Sequence, residues 1–77
     1  MNEMQEEKLV HALSLGLKQD WSLSTKIRYS HLLTIGVEMG LIEETADMML
    51  ELLEMCKTEE KANSKMDEIG KELGIKE

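Results

Sequence analysis

Apolar residues return along the chain every three or four positions, the spacing that gathers them on one side of a helix. The pattern predicts four helices with short connections, over about 3–18, 24–39, 43–57 and 59–73. In the first, Leu9, Val10, Ala12, Leu13, Gly16 and Leu17 share a face, while Glu3, Glu7, His11 and Lys18 lie opposite. Gln19-Asp20-Trp21-Ser22 breaks the period. Ser22 or Ser24 is placed to cap the second helix by accepting a hydrogen bond from an N–H of its first turn. Ile27, Leu32, Leu33, Ile35 and Val37 carry that helix to Met39. Gly40 ends it, because glycine enters the left-handed region without steric cost, and Leu41 can then fold back on the last turn.

The third and fourth segments are opposites. At about 100° per residue, Glu43, Glu44, Asp47, Glu51 and Glu54 form an acidic stripe on the third helix. The remaining arc, roughly 220° wide at that step, runs from Ala46 through Met48, Met49, Leu50, Leu52, Leu53 and Met55 to Cys56. A surface helix of a small bundle hides about 100° or a little more. The third helix therefore needs cover on two sides, either as the central helix or from a second chain. The fourth helix has only the narrow seam Ala62, Met66, Ile69 and Leu73, with Thr58 as its cap and polar residues elsewhere. So polar a helix makes a poor wall, which predicts a homodimer through Met48, Leu52 and Met55 or through the second and third helices together.

Composition agrees with an all-α fold. There is no proline or phenylalanine, and Leu, Met, Glu and Lys are abundant, so helix formers dominate. Folding at this size removes only about 60% of the unfolded chain's surface from water. The single cysteine, Cys56, cannot form an internal disulfide, and no Cys/His cluster offers a structural metal. That leaves helix packing and self-association to stabilise a single domain spanning residues 1–77. Residues 1–8 carry Glu3, Glu6 and Glu7, unlike a basic leader, and no apolar run approaches the roughly 18 residues of a membrane span. The expectation is a soluble, cytoplasmic protein with no membrane association.

Charge is where the chain is least uniform. With 16 acidic and 9 basic side chains the net charge is −7, and residues 38–60 carry −7 by themselves while the flanking stretches cancel. The second helix region is mildly basic through Lys18, Lys26 and Arg28, and it holds both aromatic residues, Trp21 and Tyr29. The stretch 23–33 faintly resembles the recognition helix of winged-helix proteins, which gives a second expectation: a dimeric DNA-binding transcriptional regulator using about residues 24–38. A net charge of −7 opposes that, since phosphate contacts supply most non-specific DNA affinity. Trp21, Arg28 and Tyr29 are instead candidate anchors for a protein partner, being of the three types that dominate interface hot spots. On the bland alternative Trp21 staples the helix junction and Arg28 lays its stem over it.

Catalytic chemistry finds little support. His11 and His31 lie on different helices without zinc or di-iron spacing. Cys56 sits on the apolar arc, where a thiol is inert. The ladder Asp47, Glu51, Glu54 runs along a helix axis and does not wrap an ion as a calcium loop does. Gly36 and Gly40 spell G-x-x-x-G, which in a helix of a water-soluble fold allows a close crossing or marks a C-cap. Acyl carrier proteins match in size and acidity, but this chain has no Asp-Ser pair to take their prosthetic arm. The sequence thus predicts a bundle of three to four helices that is not an enzyme and uses no cofactor or metal. Its predicted role is that of a small acidic protein–protein interaction module, an adaptor, antagonist or regulatory subunit. Asp47, Glu51 and Glu54 would steer it to a basic partner surface, in one form as a nucleic-acid mimic.

Overall fold

The structure is a computed structural model describing residues 1–74; the last three residues of the expected domain lie outside the described ones. It is all-helical: α1 spans Glu3–Leu17, α2 Leu23–Glu38, α3 Ile42–Met55 and α4 Glu59–Glu72, with no strand among the described residues. No helix among them is long and apolar enough to cross a membrane.

Each helix end has a local cause. α1 opens with a capping box in which the Asn2 side chain accepts the Gln5 N–H at 2.9 Å and the Gln5 side chain accepts the Asn2 N–H at 3.1 Å. α2 ends at Gly40, whose φ of 76° is the left-handed conformation. There the Leu41 N–H donates to the Gly36 carbonyl at 2.8 Å and the Gly40 N–H to the Val37 carbonyl at 3.0 Å, the paired bonds of a Schellman stop. α4 opens under Thr58, whose hydroxyl accepts the Lys61 N–H at 3.2 Å.

α2 and α3 each pack against all three other helices, and α3 has the wider apolar arc to cover. α4 reaches only α2 and α3 and does not touch α1. Ala46, Met49 and Leu52 are fully buried, and Met48, Leu50, Leu53 and Cys56 pack half-buried against the same core. The wide apolar arc is therefore mostly covered within one chain, which corrects the step from a polar fourth helix to an uncovered third. The narrow seam suffices: Ala62, Met66, Ile69 and Leu73 are all buried. Leu52, expected at a subunit contact, lies in the core because it faces inward beside Met49. Only Met55, at 61% exposed, stands clear of the packing.

Two close approaches fix how α1, α2 and α3 meet. A Cβ on Gly16 would collide with the Tyr29 ring, and a Cβ on Gly36 would collide with Thr45. Gly16 is thus a notch for Tyr29, whose hydroxyl donates to the Ala12 carbonyl at 2.6 Å. Burial pushes the Tyr29 phenol well above its ordinary value. Gly36 is a notch for Thr45, so the G-x-x-x-G pair serves both expected purposes, with Gly36 at a close crossing and Gly40 at the stop.

These contacts predict opposite effects for two glycine substitutions, read by urea denaturation. Gly36→Ala should destabilise by about 1–3 kcal/mol, because β-branched Thr45 cannot easily withdraw. Gly70→Ala, in α4 where an added Cβ meets nothing within 4 Å, should stabilise by about 0.5–1 kcal/mol. Equal effects at the two sites would refute the close crossing.

Candidate interaction surfaces

The 3.6-residue repeat that turns Ala46, Met49 and Leu52 inward turns Glu43, Glu44, Asp47, Glu51 and Glu54 outward, and all five are exposed. Asp47 receives Lys8 of α1, Nζ to Oδ1 at 2.7 Å. That hydrogen bond holds the Lys8 ammonium above its ordinary pKa, and the charges of Glu43 and Glu44 add to the effect. Among the described residues Glu51 and Glu54 have no ion-pair partner. Met55 adjoins both along the helix and is exposed. The acidic edge is a fixed surface, because the far side of the same helix is the core.

The fold does not present the three expected anchors as one exposed surface. Tyr29 is fully buried and cannot meet a partner, a correction that follows from its shared inward face with Leu32, Leu33 and Gly36. Trp21 is half-buried against the core, its ring 5.7 Å from that of Tyr29. It staples the junction between α1 and α2. Arg28 is turned onto α4: Nη1 donates to the Asn63 carbonyl and Oδ1 at 3.3 and 3.2 Å, and Nη2 pairs with Asp67.

Arg28 belongs to a polar seam that the sequence pattern did not single out. Along α2, Ser22, Thr25 and Arg28 recur every three residues; along α4, Glu59, Asn63 and Asp67 recur every four. The Glu59 carboxylate accepts the Ser22 N–H at 2.7 Å, the Ser22 hydroxyl at 2.8 Å and the Thr25 hydroxyl at 2.9 Å. Asn63 Nδ2 donates to Thr25 Oγ1 at 3.1 Å and to the Glu59 carbonyl at 3.2 Å. Ser22 begins α2, but its side chain makes no capping bond to that helix. A carboxylate from a different helix takes the part that a capping-box glutamate plays from within. The matched three- and four-residue spacings of polar side chains were the available signal.

Apolar side chains also remain exposed on the outer side of the α1–α2 hairpin. Val10 and Leu17 project from α1, and Leu23 and Ile27 from α2. A cleft of about 100 Å³ runs between the two helices, lined by Leu9, Leu13, Ser30, Leu33, Thr34 and Val37. No group of three or more His, Cys, Asp or Glu among the described residues is placed to hold a metal. Comparison of the chain with protein-family models, curated proteins and solved structures finds no match.

The seam makes folding sensitive to acid. The hydrogen bond from the Ser22 N–H, then those from the Ser22 and Thr25 hydroxyls, holds Glu59 below its ordinary value of 4.5. A lowered pKa in the folded state favours folding above the unfolded value, and that contribution is lost as pH falls through the folded one. Thermal midpoints of the wild type and Glu59→Gln should therefore differ at pH 7 and converge below about pH 4. A constant difference across that range would show that the Glu59 charge does not clamp α4.

Proposed function

We propose that this protein is a protein-interaction module that acts by occupying a partner's surface, with the acidic edge of α3 as the steering element. The observation that carries the proposal is the exposed file of Glu43, Glu44, Asp47, Glu51 and Glu54 on a helix whose other face is buried in the core. Concentrated charge of one sign raises the encounter rate with a surface of opposite sign more than it raises affinity. Met55, exposed at the end of the file, supplies an apolar contact once the partner has docked. The partner is a protein with a basic surface, and the module pairs with itself. The reading assigns no catalysis and needs no cofactor.

One form of the proposal is a nucleic-acid mimic. At about 1.5 Å rise per residue, residues 43–54 place five carboxylates over roughly 16 Å, or one per about 4 Å. One strand of duplex DNA carries a phosphate about every 3.4 Å. The competing expectation, a DNA-binding regulator, needs Lys26 and Arg28 turned toward phosphates. Arg28 is engaged by Asn63 and Asp67, and the exposed side of α2 presents Leu23 and Ile27 beside Lys26.

The test compares the wild type with the triple variant Asp47→Asn, Glu51→Gln, Glu54→Gln as bait in lysate of the native cells. Retention of a partner by the wild type at about 50 mM salt, its release at higher salt, and a tenfold or greater loss in the variant are expected. Equal, salt-independent retention by both would refute steering by this edge. Displacement of the retained partner by added duplex DNA marks the mimic form.

A further inference from the structure

We infer that the outer face of the α1–α2 hairpin is the surface on which a second copy of this chain docks, in a two-fold, antiparallel arrangement. The inference rests on the reading that the protein pairs with itself and moves the contact away from α3. A two-fold pairing through α3 would set the file Glu43 to Glu54 against its own copy, like charge on like, around Met55 as the lone exposed apolar side chain. The hairpin face has the opposite properties. α4 packs on α2 and α3 and leaves this side without a third layer. Val10, Leu17, Leu23 and Ile27 are between 46% and 72% exposed there, flanking the apolar cleft.

Charge selects the occupant. α1 begins with Glu3, Glu6 and Glu7 and is followed by Lys18, while α2 begins near Lys26 and ends at Glu38. Because the two helices run antiparallel, both acidic ends fall at one pole of the hairpin and both basic ends at the other. Two charges of the opposite sign lie near the basic pole, Asp20 of the hairpin itself and Glu59 of α4, the latter held on Ser22 and Thr25. A two-fold axis in the contact plane, perpendicular to the helices, lays α1 against α1 and α2 against α2 with the poles exchanged. Glu6 and Glu7 then oppose Lys18 of the second copy about position 12, and Lys26 opposes Glu38 of the second copy about position 32.

One axis serves both pairs. The Tyr29 hydroxyl on the Ala12 carbonyl, and the cleft shared by Leu9 and Leu13 with Ser30, Leu33, Thr34 and Val37, put position 12 of α1 level with about position 32 of α2. The surface is therefore self-complementary, apolar along its length and oppositely charged at its ends. A typical contact of about 800 Å² per partner is about one-sixth of the chain's 5054 Å². One broad face of a body measuring 33 × 27 × 20 Å can supply that share.

Sedimentation equilibrium of the full chain at low salt tests the assignment, with circular dichroism confirming that each variant is folded. The wild type should sediment at twice 8.8 kDa. Leu17→Asp with Ile27→Asp should be monomeric, and Met55→Asp should dimerise as the wild type does. Lys26→Glu and Glu38→Lys should each weaken the dimer tenfold or more, and the two together should restore it to within about threefold. A dimer broken by Met55→Asp and indifferent to Leu17→Asp with Ile27→Asp would overturn the face and keep the pairing. Failure of the charge swap to restore affinity would overturn the antiparallel two-fold. A wild type that is monomeric throughout would overturn the pairing itself.

Discussion

α3 has to be buried from three directions, and the positions of the other helices follow from that requirement. Its apolar arc is too wide for one neighbour, and no disulfide is present in the chain to relieve the need. α1 and α2 supply two walls. They approach closely because Gly16 leaves room for Tyr29 and Gly36 leaves room for Thr45. α4 supplies the third wall with only Ala62, Met66, Ile69 and Leu73, each buried. So narrow a seam leaves α4 dependent on its polar edge. Glu59, Asn63 and Asp67 hold it to Ser22, Thr25 and Arg28, satisfying the start of α2 at the same time.

Much of this was legible in the chain. Helix positions agree to within one or two residues, because nothing but Gly and the polar interruptions opposes the 3.6-residue period. The stop at Gly40 and the cap at Thr58 follow from side-chain chemistry acting within a few residues. What could not be read was how many neighbours α3 has. A helical wheel measures the width of an arc, and the width says that cover is needed without saying which chain provides it. Tyr29 and Arg28 show the same limit. Both are of types that favour interfaces, and here both are consumed internally, Tyr29 by the notch at Gly16 and Arg28 by the polar edge of α4. The polarity of α4 makes it look a poor wall, although three of its polar residues, Glu59, Asn63 and Asp67, join it to α2 beside the thin apolar seam.

The division of α3 into a core side and an acidic side connects stability to the proposed role. Carboxylates on a mobile segment would spread their field over many positions, whereas those on α3 project from a backbone packed into the core. The hairpin face and the acidic edge lie on different elements, α1–α2 and α3, which meet at the Lys8–Asp47 ion pair. A dimer through the hairpin does not use the carboxylates of α3 and so carries two acidic edges. A partner with two basic sites would meet them at raised effective concentration.

The central claim, that a single chain covers α3, is most directly tested by native-state hydrogen exchange at increasing dilution. Helix cover from within the chain predicts that the amides of residues 49–52 are the slowest to exchange, opening only with global unfolding. Their protection in excess of that of α1 and α2 should survive a hundredfold dilution, or roughly that, because no partner contributes to it. If α3 instead loses its protection selectively on dilution while the α1–α2 hairpin keeps its own, the helix is covered by a second copy, and the account given for this fold is wrong.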